Sequence, residues 1–131
     1  MHLVVGNPTW DWQESGSWTL GGTVTYTLRA LEKLGITARG LAKAECDALD
    51  ALERATRLPV HRVPGLQTAR FRNSYQPDGR REQYLHQDGD PILPAEVPAL
   101  LKQVNSVHFA PVMEDFSPEL VRVFGSAGLR I

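Results

Sequence analysis

Leu3-Val4-Val5 is a short, wholly apolar and β-branched run, closed by Gly6-Asn7-Pro8. Such a run predicts a strand buried on both faces, hence a parallel sheet covered by helices above and below. Residues 8–22 carry three tryptophans and little periodicity, and read as a loop with a short edge strand near Trp10–Gln13 or Ser17–Leu20. From Thr23 the period changes. Val24, Leu28, Leu31 and Leu34 recur at helical spacing, with Thr23 placed to cap the start and Gly35 to stop the end. Ile36–Ala42 is then a strand, and Asp47–Arg57 a second helix with Leu49, Leu52 and Ala55 on one face. Pro59–Val63 is a short strand.

Residues 67–86 differ. Phe71, Asn73 and Tyr75 alternate with Arg70, Arg72 and Ser74, then comes the turn Gln76-Pro77-Asp78-Gly79-Arg80 and a second extended run through Tyr84 and Leu85. The pattern predicts a β-hairpin with one face solvated or covering a ligand. Pro91, Pro94 and Pro98 break up a connection, and Val97–Val104 reads as a short helix. Val107–Ala110 is another buried strand, with His108 read as a satisfied core histidine. Ser117-Pro118-Glu119 opens a helix, with serine as cap and proline in the first turn. Gly128–Ile131 begins one more strand. The order predicts one α/β domain over residues 1–131, a three-layer Rossmann-like sheet with a projecting β element around 67–86. A core strand with no helix after it leaves an edge exposed, so more chain is expected beyond Ile131.

Composition narrows the partners. The 131 residues carry 14 Lys and Arg against 15 Asp and Glu, a formal net charge of −1, so no general attraction to nucleic acid or to an anionic membrane is expected. Cys46 is the single cysteine, which excludes an internal disulfide and fits a reducing cytoplasm. The start has neither a basic region nor a long apolar run, so no signal peptide is read, and no apolar stretch is long enough for a bilayer. The expectation is a cytoplasmic protein with no membrane partner.

Three places could carry chemistry. Gly21-Gly22-Thr23 opens a helix, where backbone amides can meet ligand oxygens. Taken alone, a tight loop before a capped helix explains it better. No Gly-x-Gly-x-x-Gly and no Walker loop occurs. Asp11 follows the first strand, the side of an open α/β sheet where ligands bind, and a carboxylate there suits two vicinal hydroxyls; a turn-capping aspartate fits equally well. Glu114, with Asp115 beside it, follows the Val107–Ala110 strand, though adjacent loop carboxylates more often cap the next helix. His2, His61, His86 and His108 show no metal-ligand spacing, and the hairpin arginines Arg70, Arg72, Arg80 and Arg81 fit a solvated face.

In order, these segments resemble one family. Val4-Val5-Gly6-Asn7 with Asp11 is similar to the first strand and substrate loop of ribokinase-like (PfkB-type) carbohydrate kinases. Gly21-Gly22-Thr23-Val24 with Tyr26, running into Leu31, Leu34 and Gly35, resembles their Gly-Gly signature and its helix. Thr68, Phe71, Asn73, Tyr75, Gly79, Arg80 and Gln83 resemble a lid, and Val107–Val112 with Glu114 the strand and loop that return to the sugar. The resemblance covers the whole chain and matches the family's N-terminal half. It implies a ribokinase-like fold with a β lid, and phosphoryl transfer from ATP with magnesium to a sugar or polyol. On it, Asp11, Gly21, Gly22, Thr23 and Glu114 would meet substrate hydroxyls, and a homodimer would form through the lid. Tyr26 and Thr9 stand where ribokinases proper carry asparagine, so ribose is no more favoured than another sugar, a nucleoside or an inositol-like polyol. No Gly-Ala-Gly-Asp occurs, so no catalytic residue and no ATP or magnesium site is expected within this chain. Residues 1–131 alone are expected to bind sugar weakly and to turn nothing over. Two other readings stand beside this one: a non-catalytic carbohydrate-binding or regulatory module, and a generic α/β interaction domain.

Overall fold

The chain is described by a computed structural model covering residues 1–97 and 102–130. The expected strand at the start forms as β1 (His2–Val5), and it is central. It pairs in parallel with β4 (Ala38–Ala44) on one side and β8 (Ser106–Phe109) on the other, and β4 pairs in parallel with β5 (Val60–Pro64). The sheet order is β5-β4-β1-β8. The apolar run Leu3–Val5 of β1 has its reason in two cores. Val4 packs with Ala42, Leu28 and Val24 of α1 (Thr23–Lys33), and Leu49 and Leu52 of α2 (Cys46–Ala55). Leu3 and Val5 face the other way, onto Leu41, Ile92, Val107, and Leu120 and Phe124 of α3 (Pro118–Ser126). The layered α/β architecture is therefore as expected.

Residues 8–22, expected as a loop with a short edge strand near Trp10–Gln13 or Ser17–Leu20, carry a strand at each of those places. β2 (Thr9–Trp12) and β3 (Trp18–Gly21) form a hairpin, and β2 pairs in parallel with β6 (Arg70–Tyr75). β6 continues into the anticipated hairpin with β7 (Arg81–Gln87), giving a second sheet of order β3-β2-β6-β7. Periodicity left the two places as alternatives because alternation runs for only four residues in each of β2 and β3. The strand that joins this hairpin to the sheet, β6, pairs with β2 from about 60 positions away, beyond any local window.

Other expectations shift in detail. Thr23 does not cap α1. Gly22 holds that position, no side chain caps the helix, and the Thr23 hydroxyl instead donates to the Pro111 carbonyl at 3.4 Å. Gly35 does end it, at φ 70°, with its own amide on the Glu32 carbonyl and the Ile36 amide on the Leu31 carbonyl. Ser117 stands at the start of α3 without a side-chain cap, and Pro118 is in its first turn as expected. His108 is exposed rather than a core residue, because strand alternation turns Val107 inward and its neighbour out. Near the end, Arg130 forms an isolated parallel bridge with Ser106, the start of the anticipated last strand; Ile131 lies outside the described residues. The expected helix over Val97–Val104 falls partly on residues 98–101, also outside them; before it, Pro94–Glu96 forms one 3-10 turn. Among the described residues no helix is long and apolar enough to cross a membrane.

Candidate functional site

The two sheets meet where β1 ends. The chain leaves Val5, turns through Gly6–Pro8 and enters the second sheet as β2, so the carboxyl end of the parallel sheet is roofed by β-structure. Alternation then decides what the roof shows below. Thr9 and Asp11 share a face with Gly21, their neighbour across the hairpin, and with Phe71 across the β2–β6 pairing. On β7 the same face carries Arg81 and Gln83, opposite Tyr75 and Asn73.

An open pocket of about 290 Å³ lies under this face. Thr9, Asp11 and Phe71 line it from β2 and β6, and Arg81 and Gln83 from β7. Gly22, Thr23 and Tyr26 supply the start of α1, and Pro111 and Val112 the loop after β8. Asp11 is therefore a strand residue rather than a loop residue, aimed by the pleat. Its Oδ1 accepts the Thr9 hydroxyl at 2.9 Å. Burial raises its pKa above the ordinary carboxylate value, while the Thr9 hydroxyl and the Arg81 cation act the other way.

The diglycine is close to this carboxylate and shaped by it. A Cβ on Gly21 would stand 2.2 Å from Asp11 Oδ2 and 2.8 Å from Thr9 Oγ1, so the carboxylate packs directly on the glycine backbone. Gly22 adopts φ 91°, ψ 143°, a conformation open essentially to glycine alone, and a Cβ there would meet the Asn7 carbonyl oxygen at 2.7 Å. Asp11, Gly22 and Thr23 thus line one pocket, while Gly21 lies buried behind Asp11 and does not line it.

Glu114 does not join them. It is exposed and does not line the pocket. The inward carboxylate of that loop is Asp115, 5% exposed, whose Oδ2 accepts the amides of Asn7 at 3.2 Å and Val112 at 2.8 Å. Burial pushes Asp115 up to about 6 despite those amide bonds, and Asp88 adds repulsion. Asn7 extends the network. Its Oδ1 accepts the Lys43 amide at 2.8 Å and its Nδ2 donates to the Asp90 carbonyl at 2.9 Å, which joins the ends of β1 and β4 to the segment before the 3-10 turn.

Arg81 and Gln83 were absent from the sequence-derived set. Continuing the alternation of Phe71 and Asn73 through the turn would have placed them on the same face. For Asp115 no such signal existed, since a one-residue difference in an irregular loop decides which carboxylate is buried. Among the described residues no group of three or more His, Cys, Asp or Glu is arranged to hold a metal ion.

The sequence matches no protein-family model and no curated protein. Solved structures are similar. The chain superposes on a pyrophosphate-dependent kinase of the ribokinase family, complexed with a pyrophosphate analog and myo-inositol, with TM-score 0.76 and 18% identity over 94% of this chain and 44% of that one. A possible 1-phosphofructokinase from Thermotoga maritima matches with TM-score 0.69 and 17% identity, over 98% of this chain and 52% of that one. A microbiome-derived acarbose kinase gives 0.68 and 17%, over 98% of this chain and 50% of that one. The chain thus spans about half the length of the solved chains it matches, and over that span it has the ribokinase-like fold.

Proposed function

We propose that the pocket under the second sheet holds a sugar or polyol, and that the chain is the acceptor-binding part of a ribokinase-type phosphotransferase. The observation that carries this reading is the packing of Asp11 against Gly21 beside the uncapped start of α1. A polyol presents adjacent hydroxyls that both donate and accept. Asp11 can accept hydrogen bonds from two of them, the first amides of α1 offer donors to their oxygens, and the Thr23 hydroxyl oxygen, whose proton goes to the Pro111 carbonyl, can accept one more. Arg81 and Gln83 close the pocket from above, so β6–β7 serves as its lid. ATP and magnesium would be met by parts of the enzyme that this chain does not supply, and residues 1–131 alone are expected to show no turnover.

Titration of the ¹⁵N-labelled chain with ribose, fructose, myo-inositol and a nucleoside tests the reading. The amide signals of Gly21, Gly22 and Thr23 should shift with at least one of them. Asp11→Asn should weaken that binding at least tenfold, because it removes a charged acceptor from two hydrogen bonds. If no sugar or polyol moves those signals, the reading fails.

The lid's outer face is assigned to self-association. Trp12, Trp18, Arg72 and His86 line a hollow of about 270 Å³ there, on the face opposite Asp11, and Tyr84 is 52% exposed beside it. Half-buried tryptophans set among the exposed Arg72, His86 and Tyr84 suit an interaction surface. Sedimentation velocity should show a dimer that Tyr84→Asp weakens at least tenfold; an unchanged distribution of species would remove the assignment.

A further inference from the structure

We propose that Asp115 is a positioning residue for the pocket, its buried carboxylate fixing where the Pro111–Val112 wall stands and hence how tightly a polyol is held. This rests on the reading of the pocket as a polyol site.

The wall is two residues long and belongs to an irregular segment after β8. Met113, just beyond it, has a positive φ of 56°, a conformation that a methionine does not adopt without support. Three attachments provide it. Thr23 Oγ1 donates to the Pro111 carbonyl, the Ile92 amide donates to the Asp115 carbonyl at 2.7 Å, and Asp115 Oδ2 accepts the Val112 amide. Only the last reaches the wall residue Val112 itself, and the same oxygen also accepts the Asn7 amide at the end of β1. One carboxylate oxygen thus sets the distance between the wall and the strand that leads into Thr9 and Asp11. An ionised acceptor makes these bonds about twice as strong as a neutral one.

The charged neighbours are otherwise engaged or repulsive. Lys43 of β4 pairs with Glu96 of the 3-10 turn at 2.7 Å. Asp90 Oδ2 accepts the Leu66 and Gln67 amides, Glu114 is exposed, and Asp88 repels. No cation among the described residues forms a salt bridge with Asp115. Its interaction is therefore with backbone amides, and it acts on geometry rather than on net charge.

The test compares wild type with Asp115→Asn, an isostere that can still accept both amides, between pH 5 and 8. In the ligand-free chain the Val112 and Asn7 amide signals should titrate together with one midpoint near 6. Thr23 and Tyr26, across the pocket, should follow that midpoint, and Asp115→Asn should abolish the transition in all four. With the polyol that binds best in the panel above, wild-type affinity should fall about three- to tenfold from pH 7.5 to 5, beyond the decline seen in Asp115→Asn, which retains any contribution of Asp11. At pH 7.5 the variant should bind more weakly by the same factor. Equal affinities and parallel pH profiles would overturn the proposal. So would a Val112 midpoint that Thr23 and Tyr26 do not share. If no polyol binds even wild type, the pocket reading has failed, and the four amide signals alone decide whether Asp115 positions the wall.

Discussion

Gly22→Ala should lower the unfolding free energy by about 2–5 kcal/mol, from backbone strain at a glycine-only conformation together with overpacking. The residue sits at φ 91°, and the added Cβ would stand 2.7 Å from the Asn7 carbonyl oxygen and 3.1 Å from Pro8 Cα. All of these are backbone atoms at the exit of β1, so no flexible side chain can move aside. Relief requires a shift either of α1, whose start lines the pocket, or of the β1–β2 connection, which leads into the lining residues Thr9 and Asp11. Gly35→Ala is the control. Gly35 also has a positive φ, of 70°, but nothing lies within 4 Å of its would-be Cβ. It should lose only about 1 kcal/mol, the backbone part alone. Urea denaturation of the two variants separates the contributions. A Gly22→Ala chain no less stable than Gly35→Ala would mean that the close approach to Asn7 is not real.

The second large effect concerns acid. Asp115 has its pKa raised to about 6 from an ordinary 3.8, so between those values the folded chain holds a proton that the unfolded chain has released. Folding is then favoured by this group below pH 4, and that advantage is lost as the pH rises through 6. The shift of about two pKa units corresponds to about 3 kcal/mol over the full span. Asp115→Asn has no such proton to lose. Relative to the variant, wild type should therefore lose about 2 kcal/mol of stability between pH 4 and pH 7, measured by denaturation at each pH. Other carboxylates titrate in both proteins and cancel in the difference. A flat difference would show that Asp115 ionises as an exposed aspartate does. The direction also separates two roles. From pH 4 to pH 7 the variant is expected to rise in stability relative to wild type while falling relative to it in polyol affinity, whereas a purely structural residue would move both the same way.

How much of this the sequence carried depends on the range of the forces involved. The parallel sheet was legible because its signals are local and strong. Leu3-Val4-Val5 is apolar on both faces, and α1 announces itself through Val24, Leu28 and Leu31. Asp11 and the diglycine were legible as candidates, yet that they touch is a consequence of the Thr9–Gly21 register. The second sheet was half legible. Its β6–β7 hairpin has a strong turn at Gln76–Arg80, whereas β2 is fixed by pairing with β6, and β3 by pairing with β2. The exchange of Glu114 for Asp115 as the inward carboxylate was not legible at all. It follows from a left-handed residue at Met113, which no residue preference in that loop announces.

The parallel seam between β2 and β6 is three residues long: Trp10 with Arg70, Asp11 with Phe71, Trp12 with Arg72. Strand side chains alternate, so sliding one strand by a single position would swing Asp11 to the outside and bring an indole into its place. The roof over the pocket would then be greasy instead of acidic, with no change in composition. On the polyol reading, recognition would be guarded by strand alignment, and the shortest pairing in the second sheet is where a misfolded copy would lose its chemistry while keeping its shape.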